Sequence, residues 1–391
     1  MHANTAPKRG FSETEFRQRT IKAQSLMASE GLVGLLLMGE QDVQYFTGFQ
    51  TLFWQSPTRP WFIFVPAEGK PIAVIPEIGA ELMRRGWLED IRTWGAPAPQ
   101  DDGISLLTEL LDPFAKKREK IGVMKGHETK LQMPLGDWER LMAGVSGLRT
   151  ADCTEIVQGL RMVKSAAEIE KLAHVCGIGS AAFAQVPQIM SKGQPLEDVF
   201  RTFRIAALHA GADDAPYVVG AANQGGYADV ISPPNQHPLQ KGDVLMLDTG
   251  LTWDGYFCDF DRNWAIQQVS DEAKRAYDVL YRATEAGINA ARPGNTCRDL
   301  FMAMSNVIAE MDNSGGDIGR LGHGLGMQLT EQPSHAAFDS TELKENMVLT
   351  IEPSLSYGDG LMMVHEENIV VRSEKAELLT TRAAPELPVI G

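Results

Sequence analysis

Four aspartates fall within one stretch, "LDTGLTWDGYFCDFDRNW", which begins at Leu247: Asp248, Asp254, Asp259 and Asp261. Their neighbours are the apolar and aromatic residues of two buried strands, and an unpaired buried carboxylate costs several kcal/mol, so the stretch needs a cation or hydrogen-bond donors. Asp248 ends the apolar run "DVLML", and Asp259 follows eleven residues later. Eleven is odd, so on one uninterrupted strand the two would face opposite ways. Asp254-Gly255 is a strong hairpin signal, and a turn at "TWDGY" folds the second strand back beside the first. Both carboxylates can then meet one ion or bridge two. A surface hairpin with solvated aspartates is the competing account, and for Asp254, at the turn itself, it is the better one.

Three further pieces add groups of the same kind. "GRLGHGLGMQL" places His323 in a glycine-rich loop, where an imidazole can reach a site without bulky neighbours. "MVLTIEPSLSY" sets Glu352 inside an apolar strand, and "LMMVHEENIVV" sets Glu366 and Glu367 inside another. A carboxylate among Val, Ile and Met seldom lacks a partner. Two Asp, one His and two Glu make a hard, mostly oxygen set suited to a pair of divalent ions such as Mn²⁺, Co²⁺, Fe²⁺ or Zn²⁺.

Bringing these residues together requires strands and tight turns. From about residue 195 the pattern predicts a helix over 195–211, paired strands over 243–266, helices at about 271–291 and 297–312, and strands near 347–357 and 361–372. Long strands with few helices between them predict an antiparallel or mixed sheet covered by helices, an α+β layout. The first 150 residues instead alternate short apolar runs with amphipathic segments, the pattern of an α/β layer domain. There 31–39, 61–66, 71–76 and 120–126 read as strands, and 13–31 and 102–118 as helices, the first ended by Gly31. The texture changes near residue 155, and 160–190 carries helical spacing with Ser165 and Glu168 as a capping box. The expected domains are 1–155 and 156–391.

The chain has 391 residues, 43% of them hydrophobic, enough for two domains with sizeable cores. The N-terminus lacks the apolar stretch of a signal peptide, and no run approaches the roughly 18 apolar residues of a membrane span, so a soluble, cytoplasmic protein is expected. A net charge of −15 argues against nucleic acid or an anionic membrane as partner. Four scattered cysteines imply neither a disulfide framework nor a thiolate metal site.

In this order and spacing, "LRMVKSAAEIE", "GDVLMLDTG", "GYFCDFDR", "GHGLG", "TIEPSLSY" and "EENIVV" resemble the pita-bread metallohydrolases: methionine aminopeptidase, aminopeptidase P, prolidase and their metal-free relative creatinase. The resemblance covers about 160–391; the N-terminal part is similar more loosely, through "VQYFTGF", to the creatinase-type domain that precedes the catalytic domain in aminopeptidase P and prolidase. It implies an α/β N-terminal domain followed by an α+β pita-bread catalytic domain, in a homodimer. It also implies that Asp248, Asp259, His323, Glu352 and Glu366 hold two divalent ions, with Glu352 and His323 catalytic and Glu352 the general base. Aligning "EENIVV" with the family's last ligand strand selects Glu366 over Glu367, and strand alternation agrees that only one serves. Arg262 is expected to support the carboxylates.

The pattern departs from aminopeptidase P and prolidase at three positions. Tyr227, Ala228 and Asp229 stand where a substrate-holding histidine is expected before the first ligand, Thr330 replaces another seven residues after His323, and Val364 replaces an arginine two residues before Glu366. Candidates for substrate contact are His335, Tyr217, Tyr227 and Thr330, with Trp54 and Arg59 from the aromatic stretch "TLFWQSPTRPWF" as a possible wall of the mouth. The leading expectation is a dinuclear metal-dependent hydrolase of an amide C–N bond, of the Xaa-Pro dipeptidase or aminopeptidase P type, acting on a short peptide or other small molecule. The alternatives are a divergent member acting on a small non-peptide compound, as creatinase, ectoine hydrolase and dimethylsulfoniopropionate lyase do, and a catalytically inactive binding protein.

Overall fold

The computed structural model describes residues 6–56, 59–311 and 319–391. They divide into compact units at Lys8–Arg161 and from Met162 to Gly391. The expected domain boundary after residue 155 falls inside a helix, Thr154–Met162, at whose end the units separate.

The first unit is built on a six-stranded mixed sheet. Its strands are β1 (Gly34–Leu37), β2 (Phe62–Pro66), β3 (Ile72–Pro76), β4 (Ile91–Trp94), β5 (Lys120–Val123) and β6 (Arg149–Asp152), in the spatial order β4-β3-β2-β1-β5-β6. The central strands are buried along nearly their whole length, which is why they read as unbroken apolar runs and not as alternation. The helix Glu13–Glu30 starts where the Ser12 hydroxyl accepts from the Glu15 amide, and it ends at Gly31, whose φ of 63° only glycine adopts without strain. Short elements such as β4, β6 and the helix Glu40–Thr47 fall outside the sequence expectation, being too brief to show a period.

The second unit holds two sheets. In the first, β7 (Asp214–Gln224), β8 (Asp243–Trp253) and β10 (Phe260–Ile266) lie antiparallel; β9 (Tyr256–Phe257) extends β8's hairpin. The second contains β11 (His323–Gly324), β12 (Glu331–Ser334), β13 (Val348–Ile351), then β16 (Glu367–Val370) and β17 (Glu377–Leu378). A hairpin of β14 (Ser354–Tyr357) and β15 (Leu361–Val364) stands apart, and β18 (Val389–Ile390) closes the edge beside β10. Helices Ala166–Phe183 and Leu196–Ala210 share a core with Leu245, Leu247, Phe260 and Trp264. Helices Asp271–Ala290 and Cys297–Ile308 share the other core, with Val244, Met246, Leu349, Ile351 and Ile369. β8 thus sends odd residues to one core and even residues to the other, so Asp248 continues the face of Val244 and Met246, toward the second sheet.

Three local outcomes differ from the sequence reading. The single helix expected over 160–190 is broken, because Ser165 and Glu168 form a real capping box and a capping box starts a new helix. β7 was not anticipated: its one glycine, its proline and its three alanines give little β signal. The helix expected over 297–312 ends at Ile308, and residue 312 lies outside the described residues.

Candidate metal centre

The "DG" turn is real. Asp254 and Gly255 have φ of 50° and 79°, the paired positive values of a type I′ hairpin, and Trp253 pairs with Tyr256 across it. One register then runs from Thr252↔Phe257 to Asp261↔Asp248, leaving Asp259 opposite Gly250. Directly opposed residues share a face and so do alternate ones, which brings Asp248, Asp259 and Asp261 onto one side. Gly250 permits this crowding: a Cβ there would lie 2.2 Å from Leu329 Cδ1 and 3.3 Å from Tyr217 Cβ. Asp254 is not solvated as expected; it is 5% exposed and pairs at 2.5 Å with the buried ammonium of Lys171.

The second sheet supplies the other groups. Glu352 follows the end of β13 and Glu366 precedes β16, whose register with β13 makes Ile351 the partner of Glu367 and leaves the two ligand candidates facing each other beyond the ladder. Glu366 and Glu367 have opposite fates. Glu367 accepts from Arg262 at 2.9 Å, from Arg382 at 3.2 Å and from the Ala383 amide at 2.8 Å, whereas buried Glu366 keeps an oxygen with no partner. The sheets are tied together by Asn368, whose side chain accepts from the Asp259 amide at 3.0 Å and donates to the Asp259 carbonyl. Thr350 does the same for the histidine, accepting from the His323 amide at 3.0 Å.

Ligand atoms of Asp248, Asp259 and Glu366 lie within 4.8 Å of one another. His323 Nε2 stands 3.5 Å from Asp259 Oδ2 and 3.9 Å from Glu352 Oε2. Its Nδ1 lies 2.9 Å from the Gly324 carbonyl, which can only accept, so the proton sits on Nδ1 and the Nε2 lone pair is free. Burial, and then the Arg320 charge, lower its pKa to about 4, so the ring is neutral, as a ligand must be. Burial raises Asp248 to about 7 and Glu352 to about 8, and lifts Asp259 and Glu366 well above the carboxylate range; for Glu352, Asp259 and Glu366 repulsion from neighbouring carboxylates adds to it. Asp248 Oδ1 and Glu366 Oε1 are buried without a hydrogen-bond partner. Convergent, unsatisfied carboxylate oxygens beside a neutral imidazole fit divalent cations, and among the described residues no lysine or arginine is bonded to them in their place. Glu352 has 32% of its side chain exposed.

The remaining candidates divide. Tyr217 lies opposite Gly250 on the same face as Asp248; burial, and then the carboxylates Asp248, Asp259 and Glu366, raise its pKa, which keeps the proton in place. Thr330 is half-buried, with its hydroxyl 3.4 Å from Arg320. Arg262 binds the carbonyls of Asp261 and Glu366 at 2.7 and 2.8 Å, so it fixes ligand backbone as well as Glu367. Trp54 and Arg59 belong to the Lys8–Arg161 unit, where Trp54 packs 5.7 Å from buried Trp61 and Arg59 covers Phe53. Two candidates are corrected. His335 is fully buried against Gly322, its pKa pushed down by burial to about 3, so it has no opening to a substrate. Tyr227 is also fully buried, and its hydroxyl donates to Asn263 at 3.0 Å while accepting from the Val364 amide at 2.8 Å.

Sequence reasoning passed over Asn368, Arg320 and the placement of Asp261. For Asp261 the signal was available: two residues from Asp259 on a strand means the same face. Arg320, three residues before His323, acts on Asp259 and Glu352 as well as on His323. Asn368 carried no signal beyond a polar residue in an apolar strand.

Residues 170–374 match the profile of Metallopeptidase family M24, and residues 19–163 match the Creatinase/Prolidase N-terminal domain. A protein named probable dipeptidase PepE, from Mycobacterium bovis, is 26% identical over 394 residues, covering 98% of each chain. An Xaa-Pro dipeptidase from Pyrococcus horikoshii is 23% identical over 375 residues, 95% of this chain and 98% of that one. The crystal structure of dipeptidase PepE from Mycobacterium ulcerans superposes with a TM-score of 0.83 at 25% identity, covering 97% of this chain and 99% of the other.

Proposed function

We propose, for a chain that belongs to metallopeptidase family M24 and is a metal-dependent peptidase, that it hydrolyses the amide bond of dipeptides, those ending in proline included, with two divalent ions held by Asp248, Asp259, His323, Glu352 and Glu366. The observation that carries this reading is the convergence of three carboxylate oxygens within 4.8 Å beside the free Nε2 of a neutral histidine. Divalent ions at such a site polarise a scissile carbonyl and make water nucleophilic near neutral pH. Glu352, with 32% of its side chain exposed, is placed to take the proton of the attacking water and return it to the leaving nitrogen. Tyr217 keeps its proton and offers a donor next to Asp248, and Arg320 beside Thr330 supplies positive charge suited to the free carboxylate of a dipeptide.

A second reading, a small non-peptide substrate, is favoured by one observation. Tyr227, where prolidase-like sequences are expected to carry a substrate-holding histidine, accepts from the amide of Val364, which stands in place of their arginine. Mn²⁺ is the proposed metal, ahead of Co²⁺, Fe²⁺ and Zn²⁺, and a cytoplasmic homodimer completes the proposal. The test is product release, followed by mass spectrometry, from Gly-Pro, Ala-Pro, Xaa-Pro tripeptides, non-proline dipeptides, creatine, ectoine and dimethylsulfoniopropionate with each metal, using Asp259→Ala as control. Metal-dependent cleavage of dipeptides supports the proposal; turnover of a non-peptide compound alone overturns it in favour of the second reading.

A further inference from the structure

The strand pair that carries Asp248 also sets Asp261 directly opposite it. Opposed carboxylates on neighbouring strands destabilise a sheet unless something positive lies between or beside them. Asp261 is 2% exposed, and its Oδ1 is buried with no hydrogen-bond partner, as is Oδ1 of Asp248. The adjacent Arg262 is not bonded to that carboxylate: its guanidinium donates to the Asp261 carbonyl, the Glu366 carbonyl, the Glu367 carboxylate and the Thr381 carbonyl.

The other oxygen of Asp261 is held firmly. Asn263 Nδ2 donates to Asp261 Oδ2 at 2.6 Å and to the Val364 carbonyl at 2.7 Å, while Asn263 Oδ1 accepts from Tyr227, whose hydroxyl in turn accepts from the Val364 amide. A buried network therefore fixes the carboxylate in one orientation and leaves a single oxygen unsatisfied on the face of Asp248 and Asp259. A purely structural acid would be expected to have both oxygens satisfied, as Glu367 does.

We propose that Asp261 is a further carboxylate of the metal centre, its free Oδ1 serving the cations beside Asp248, with Asn263 and Tyr227 as the residues that position it. The inference rests on the metallopeptidase reading and adds to it a negative group, held by residues at two of the positions where this chain departs from prolidase-like sequences.

The experiment is a calorimetric titration of metal-free protein with Mn²⁺, for the unaltered chain, Asp261→Asn and Asp261→Ser, alongside melting curves without metal. Asparagine keeps an acceptor for Asn263, so the fold is retained while the charge is lost. Mn²⁺ binding to both variants weaker by roughly tenfold or more, with a metal-free Tm equal to or above that of the unaltered chain, supports the inference. Equal affinity in all three chains overturns it and leaves the peptidase reading standing, as does a lowered metal-free Tm with unaltered affinity, which would make Asp261 structural. If the unaltered chain binds no Mn²⁺, Co²⁺, Fe²⁺ or Zn²⁺, both the inference and the metal reading fall.

Discussion

The second unit buries acids in two ways, a few residues apart. Behind the site, Glu331 pairs with Lys164, Asp254 with Lys171, and Glu367 with Arg262 and Arg382, each inside the protein. On the other face, ligand atoms of Asp248, Asp259 and Glu366 converge, Asp261 lies directly opposite Asp248, among the described residues no lysine or arginine is bonded to these carboxylates, and Asp248, Asp261 and Glu366 each keep a buried oxygen unsatisfied. On the function proposed above, the difference separates structural acids from those that would hold metal. A paired acid is satisfied by the chain itself, whereas a convergent unpaired set is stable only with an outside cation or with protons. Glu366 and Glu367 show it at adjacent residues, because strand alternation sends one to each region.

The largest expected effect falls on the metal face. Glu352→Gln keeps the shape and removes the base, and kcat for dipeptide cleavage should fall by about 10²–10⁴-fold with the melting temperature little changed. A variant with near-normal turnover would show that the base lies elsewhere. On the paired side the effect should be on stability and not on chemistry. Lys171→Met removes the buried ion pair with Asp254 and should cost about 3–5 kcal/mol in denaturant unfolding, with Mn²⁺ affinity unchanged. Loss of metal binding without loss of stability in that variant would erase the distinction between the two regions.

A smaller effect distinguishes the regions by pH. Asp248 and Glu352 have pKa values raised from 3.8 and 4.5 to about 7 and about 8 in the folded, metal-free chain, by burial first. A group raised on folding contributes stability below its unfolded pKa, and that contribution is lost as pH climbs through the folded pKa. Metal-free protein should therefore melt at progressively lower temperature between about pH 4 and pH 8, a slope that saturating Mn²⁺ flattens. A metal-free melting temperature that rises over that window would show that the cluster is neutralised from within the chain.

Much of the fold and of the site could be read from residue types and spacing, for reasons that are local. Asp254-Gly255 demanded a type I′ turn, that turn fixed a register, and the register decided which aspartates share a face. Glu352 and Glu366 stood out because carboxylates in apolar strands are rare. What stayed hidden depends on distant packing: a polar residue such as Asn368 declares its role only once β16 lies beside the Asp259 backbone. His335 misled for the converse reason. A loop position beside proline looked free to move, but the Leu321 amide donates to its carbonyl at 2.8 Å and the Gly322 carbonyl accepts from its amide at 2.9 Å, which seals the ring inside.

Tyr217 supplies the mildest test, because it belongs to the metal face without being one of its acids. Its hydroxyl keeps its proton amid the surrounding negative charge of Asp248, Asp259 and Glu366. Tyr217→Phe removes one neutral donor and leaves the ring over Gly250, so kcat should drop by less than about tenfold, roughly the worth of one hydrogen bond. If the hydroxyl only steadies Asp248, the loss should appear in Mn²⁺ affinity and be recovered at high metal. If it also touches the reacting group, kcat should stay low at saturating Mn²⁺, and Tyr217 would pass from holding a ligand to taking part in the reaction.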